Sequence, residues 1–233
     1  LYGLMLRSGN DASYSIAKNT FGSVESFVEK MNDLASVIGM KNTTFVNCCG
    51  LDTDGHLTSG RDVAIMASAL IKHALIKKYS TVWMDALRNG KSELTNTNKL
   101  VRYYSGATGL KTGTTSKAGC CVAATAERDG MELVAVVMGG ETSNERFTGA
   151  KKLLDYGFAN WSFVTLTPNL GEVGEIPVLK KKKKFITADS GGGEINLLLS
   201  KGKQEEVTQT VEINENIEAP VLTGDIIGSV KFV

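Results

Sequence analysis

Two short polar segments carry residue types that could do chemistry: Ser8-Gly9-Asn10 and Lys111-Thr112-Gly113-Thr114-Thr115. In the second, lysine supplies a fixed positive charge, and glycine, lacking a Cβ, lets a ligand or another backbone come close. As a strand, this segment would point Thr112 and Thr114 to the same side, so that hydroxyl and ammonium groups converge on a carboxylate. In the first segment a serine hydroxyl and an asparagine amide stand directly before a helical pattern, where both residue types also cap well. Taken singly, the lysine segment reads as a polar loop and the serine segment as a helix cap. Their order and surroundings raise the chemical reading: an apolar helix runs into Ser8, and a hairpin and a last helix follow Lys111.

The elements that must hold these groups are legible in outline. Asn10 or Asp11 can cap a helix over 12–19, and Ser23 a second in which Phe27, Met31, Leu34 and Ile38 repeat at helical spacing, with Gly39 at its end. Thr58 or Ser59 starts a third, with Val63, Met66, Ala67 and Leu70 on one face. After a polar stretch over 89–98 comes the lysine segment, then strand patterns over 120–128 and 131–139 joined by Asp129-Gly130, a tight-hairpin signal. A helix over 144–158 follows, with Phe147, Ala150, Leu154 and Phe158 on one side. Near Trp161 the composition shifts to Val/Ile/Thr stretches broken by Gly, Asn and Asp. The expected fold class is α/β: helices packed on an antiparallel sheet over 1–165, then a small all-β, sandwich-like domain over 166–233.

Composition narrows the function classes. A formal charge of +1 in 233 residues gives no electrostatic footprint for nucleic acid. There is no apolar run long enough to span a bilayer. The cysteines form two adjacent pairs, Cys48-Cys49 and Cys120-Cys121, without metal-ligand spacing. They read as small packing residues, although a bridge between the pairs is allowed.

The segments Leu6-Arg7-Ser8-Gly9-Asn10-Asp11-Ala12, Gly50-Leu51-Asp52 through His56 to Asp62, Gly109-Leu110-Lys111-Thr112-Gly113 and Lys151-Lys152-Leu153-Leu154-Asp155-Tyr156-Gly157-Phe158 resemble the low-molecular-mass D-Ala-D-Ala carboxypeptidases, peptidase family S11. Ile217-Glu218-Ala219-Pro220-Val221 with Gly224-Asp225-Ile226-Ile227-Gly228 is similar to the small β-domain of the penicillin-binding protein 5 type. The resemblance implies a β-lactamase/transpeptidase-like catalytic domain and an acyl-enzyme mechanism on the D-Ala-D-Ala end of a peptidoglycan pentapeptide stem, with β-lactam antibiotics as mimics and no cofactor. Ser8 would relay a proton and Asn10 hold the substrate amide. Lys111, Thr112 and Thr114, with Gly113 leaving room, would bind the terminal carboxylate. The Thr114 N–H would serve an oxyanion hole, and Arg146 would assist the carboxylate site.

In that family the nucleophile belongs to a Ser-x-x-Lys signature upstream of Ser8. The chain opens at Leu1 without room for it, so an N-terminally truncated, inactive and unstable piece is expected. The parent protein is expected at the outer face of the cytoplasmic membrane, peripherally held. Ser15-Ile16-Ala17-Lys18 and Ser200-Lys201-Gly202-Lys203 spell the signature but follow Ser8 on its own helix or lie in the β-domain. His56, in an Asp- and Gly-rich loop, and His73, at a helix end, offer no Ser-His-Asp triad. The run from Lys180 to Lys184 reads as a solvated edge that discourages strand pairing. A class A β-lactamase is disfavoured because no Glu-x-x-x-Asn occurs between residues 37 and 87. A non-enzymatic peptidoglycan-binding relative is the other alternative.

Overall fold

The computed structural model describes residues 1–170, 175–180, 185–190 and 193–233. The chain divides into two compact units, Leu1–Phe158 and Ala159–Val233. The division precedes the 165/166 boundary drawn from composition, because the strand Trp161–Leu166 pairs with Ile195–Ser200.

In the first unit, helices α1 (Tyr2–Arg7), α2 (Asn10–Phe21), α3 (Val24–Val37), α4 (Gly60–Ile71) and α5 (Ala74–Ser80) precede a small hairpin, β1 (Met84–Leu87) and β2 (Ser92–Thr95). A short helix α6 (Leu100–Tyr103) leads into the main sheet, β3 (Ala107–Thr115), β4 (Gly119–Arg128) and β5 (Met131–Gly140), antiparallel in that order. Helix α7 (Ser143–Asn160) follows.

Local chemistry accounts for most boundaries. Ser23 and Ser59 cap α3 and α4 by accepting from the Ser26 and Asp62 N–H groups. Gly39, at φ 84, lies just past the end of α3, where a left-handed residue stops a helix. Asp129 and Gly130 both take positive φ, as the two-residue turn between β4 and β5 requires. The Asn10 or Asp11 cap is corrected: Gly9, in an extended conformation, is the N-cap residue, and Asn10 is already helical. Helix α1 ends at Arg7, so only Ser8 and Gly9 are left between the two helices.

The sheet carries helices on both faces. Side chains alternate along β5. Val134 and Val136 join a core with Met5, Leu6, Ala67, Leu94, Leu110 and Ala123. Leu133 and Val137 lie against Gly157 and Gly149 of α7. Phe147, Ala150, Leu154 and Phe158 form the buried stripe of that helix, as their spacing predicts.

The second unit is all-β among the described residues apart from a 3₁₀ turn. It pairs β6 (Trp161–Leu166) with β9 (Ile195–Ser200), β7 (Ile176–Pro177) with β8 (Phe185–Ile186), and β10 (Gln209–Ile213) with β11 (Gly228–Phe232). Its core centres on Ile176, Val178 and Ile217. Of the lysine run, Lys180 pairs with Glu218 at 2.8 Å, and 181–184 lie outside the described residues.

Candidate active site

The apolar residues Met5 and Leu6 bury α1 in the core, and the helix then stops because Ser8 adopts a left-handed conformation (φ 55, ψ 41). Its N–H still returns to the Leu4 carbonyl at 3.1 Å, and that of Gly9 to the Gly3 carbonyl at 3.0 Å. A non-glycine residue held there costs about 1 kcal/mol or more. The turn leaves the Ser8 side chain exposed beside the start of α2.

Lys111, midway along β3, reaches this turn: its ammonium donates to the Ser8 hydroxyl, and also to the Thr112 carbonyl at 2.7 Å. Two segments far apart in sequence thus meet in a cleft between the α1–α2 turn and an edge strand. Asn10 is exposed on the first turn of α2, its amide not spent on capping. Gly113 is exposed, with nothing within 4 Å of where a Cβ would sit, so a ligand can approach its backbone.

The threonines divide. Thr114 is exposed, whereas Thr112 is buried and its hydroxyl bonds the Thr97 hydroxyl at 2.7 Å. The Thr97 N–H in turn donates to the Leu6 carbonyl at 3.0 Å, so Thr97 ties the lysine strand to the helix before Ser8. Nothing in its local sequence marks it, since the link exists only once the two segments meet.

Arg146, in the first turn of α7, is only 7% exposed. One guanidinium nitrogen donates to the Thr114 hydroxyl at 2.9 Å and to the Gly113 and Cys121 carbonyls at 3.0 and 3.3 Å. The other terminal nitrogen donates to the Ser143 hydroxyl at 3.1 Å, while Nε is buried without a hydrogen-bond partner. Arg146 therefore props the Gly113–Thr114 backbone from behind with a buried positive charge.

That charge acts on its neighbour. Burial, and then repulsion from Arg146, push the Lys111 ammonium down from its ordinary value to about 8. Lys111 thus holds its proton loosely near neutral pH. A group that binds an anion when charged and exchanges a proton readily is well matched to hydroxyl-mediated acyl transfer.

The two Ser-x-x-Lys strings are differently placed. Ser15 and Lys18 are exposed on α2, where the Ser15 hydroxyl accepts from Asn19, and Ser200 and Lys203 are in the second unit. The four cysteines are free thiols. His56 is structural: its Nδ1 accepts from the Val46 N–H at 3.0 Å, its ring packs edge-on to Phe45, and burial lowers its pKa.

A lysine strand facing a Ser-Gly-Asn turn, on a sheet flanked by helices and followed by a separate β unit, defines the class of serine enzymes that recognise penicillin. The family model described as D-alanyl-D-alanine carboxypeptidase, peptidase S11, matches residues 1–142, and that of the penicillin-binding protein 5 C-terminal domain matches 165–233. The chain belongs to this family of low-molecular-mass penicillin-binding proteins. It is 38% identical over 233 residues to D-alanyl-D-alanine carboxypeptidase DacF of Bacillus subtilis, covering 98% of this chain and 60% of DacF. Among solved structures, penicillin-binding protein 5 from Haemophilus influenzae is similar at TM-score 0.77 and 32% identity, over 100% of this chain and 68% of that one. Penicillin-binding protein D2 from Listeria monocytogenes, in its cefotaxime-bound form, matches at TM-score 0.63 and 33% identity, over 67% of this chain and 64% of that one. The chain spans about 60% of the length of the curated relatives it matches.

Proposed function

We propose that this chain is the larger part of a serine-type D-alanyl-D-alanine carboxypeptidase that trims the terminal D-Ala from peptidoglycan pentapeptides. The observation that carries the reading is the Lys111 ammonium on the Ser8 hydroxyl, with Asn10 on one wall and Gly113–Thr114 on the other. The names of the relatives agree with it.

In the proposed reaction a serine oxygen attacks the carbonyl carbon of the penultimate D-Ala, and the C–N bond to the last D-Ala breaks. The serine proton passes to the leaving amine through Ser8, whose hydroxyl Lys111 orients. Water then cleaves the ester and restores the serine. Lys111 and Thr114 take the substrate's terminal carboxylate, with Arg146 adding field from behind, and the Thr114 N–H donates to the oxyanion. Thr112 serves through its hydroxyl's bond to Thr97, which fixes the strand. The attacking serine and its lysine partner are assigned to sequence preceding Leu1 in the parent protein. By this reading the parent acts outside the cytoplasmic membrane, where its substrate is, and is acylated by β-lactams.

The test is intact-mass spectrometry of the parent protein with and without benzylpenicillin, followed by peptide mapping. A lasting adduct on a Ser-x-x-Lys peptide upstream of Leu1 is the expected result. Folded protein that takes no adduct would overturn the enzymatic reading, and an adduct lost within seconds would favour a β-lactamase.

A further inference from the structure

The loop over 47–57 is bonded to both walls of the cleft. On one side the Ser13 hydroxyl donates to the Cys48 carbonyl, and the Cys49 thiol lies 3.7 Å from the Tyr14 hydroxyl. Both Ser13 and Tyr14 belong to α2, the helix that Asn10 begins. On the other side the Lys117 N–H donates to the Asp52 carboxylate at 3.1 Å, and the Thr115 hydroxyl and Ser116 N–H help to hold that carboxyl below its ordinary range. These three residues lie at the end of β3 and in the turn that follows it, directly after Gly113–Thr114.

The loop can transmit that constraint because it is braced internally. The Asn47 side chain accepts from the Gly50 N–H at 2.7 Å and donates to the Leu51 carbonyl at 2.9 Å. Antiparallel bonds between Thr44 and Leu57 close its base.

Resting on the proposed function, we infer that Asp52 is a positioning residue: through loop 47–57 it fixes the carboxylate-binding end of β3 relative to the Asn10 wall. It touches none of the reacting atoms. Its role is to hold Thr114 where Lys111 and Asn10 can engage one substrate at the same time. The Thr115 hydroxyl is the largest cause holding the Asp52 carboxyl below its ordinary range, so the anion that accepts from the Lys117 N–H is present throughout the neutral range. Among the described residues, nearby Asp54 meets only the exposed Lys117 ammonium, at 3.2 Å, and a solvated pair of that kind adds little.

The test compares Asp52→Ala, Asp52→Asn and Asp54→Ala in the parent protein by fluorescent-penicillin acylation and by hydrogen exchange. Asp52→Ala is expected to lower acylation efficiency about tenfold, through a higher half-saturating concentration with a nearly unchanged limiting rate. Exchange should rise together over 47–57 and 115–118 and stay low in β4, which certifies the fold. Asp52→Asn, retaining one acceptor oxygen, should recover most of the efficiency, and Asp54→Ala should match wild type. Wild-type acylation by Asp52→Ala, or increased exchange in only one of the two segments, overturns the inference. If the wild type is not acylated, the proposed function fails and the paired exchange response alone decides whether Asp52 couples the two walls.

Discussion

Lys111 ties the electrostatics of the site to its pH behaviour. Its proton is lost near pH 8 in the folded chain but only near 10.5 when unfolded. Between those values the unfolded state binds more protons, so folding stability rises with pH across that window. Lys111→Met should abolish that rise, as read by denaturant unfolding at pH 8 and 10. Under the proposed function, kcat/KM of the parent protein toward carboxylate substrates should fall above about pH 8, where the ammonium disappears. Arg146→Met removes the repelling charge and should move that midpoint upward, while lowering stability by about 3 kcal/mol through the lost buried network. A pH–rate profile that leaves the midpoint in place would refute the coupling. That the Ser8 and Lys111 segments would face each other was legible in the sequence, and their side chains do meet. The Thr112–Thr97 bond and the Asp52 contacts were not legible, because each partner is selected by tertiary approach and not by a local pattern.

Elements with strong local chemistry were legible in the same way: the Ser23 and Ser59 caps, the Asp129-Gly130 turn and the apolar stripe of α7. The hairpin β1–β2 was not, since the polar residues over 89–98 mask a pairing of Leu87 with Ser92 and Met84 with Thr95. Gly119 shows how tightly the main sheet is closed beside the site. It opens β4 at φ 66, and a Cβ there would meet the Gly140 carbonyl oxygen at 2.9 Å. Gly119→Ala should cost about 2–3 kcal/mol from the backbone strain and the clash together. Chemical denaturation would measure it, and a loss under 0.5 kcal/mol would show that the strand end yields. Truncating the stripe of α7 by Leu154→Ala should cost about 2–5 kcal/mol.

The composition shift near Trp161 made two bodies legible from sequence, and the contacts divide the chain at Phe158. Strand β6 lies beyond that point because its partner, Ile195–Ser200, is far downstream, a pairing that composition does not encode. Each unit has its own core, so damage to one should stay there. Ile217→Ala, which empties the centre of the second core, should destabilise that unit by about 2–4 kcal/mol. Penicillin acylation of the parent should be unchanged, and a parallel loss of acylation would reveal coupling between the units. Calorimetry of the intact protein should resolve the shift in one transition only.

The left-handed turn at Ser8 has a consequence for heredity. Glycine would relax that backbone and should stabilise the first unit by about 0.5–1 kcal/mol, yet it would delete the hydroxyl that Lys111 grips. Stability and chemistry therefore pull this one codon in opposite directions. A library selected only for heat resistance should accumulate Ser8→Gly, and under the proposed function one selected for cell-wall trimming should purge it.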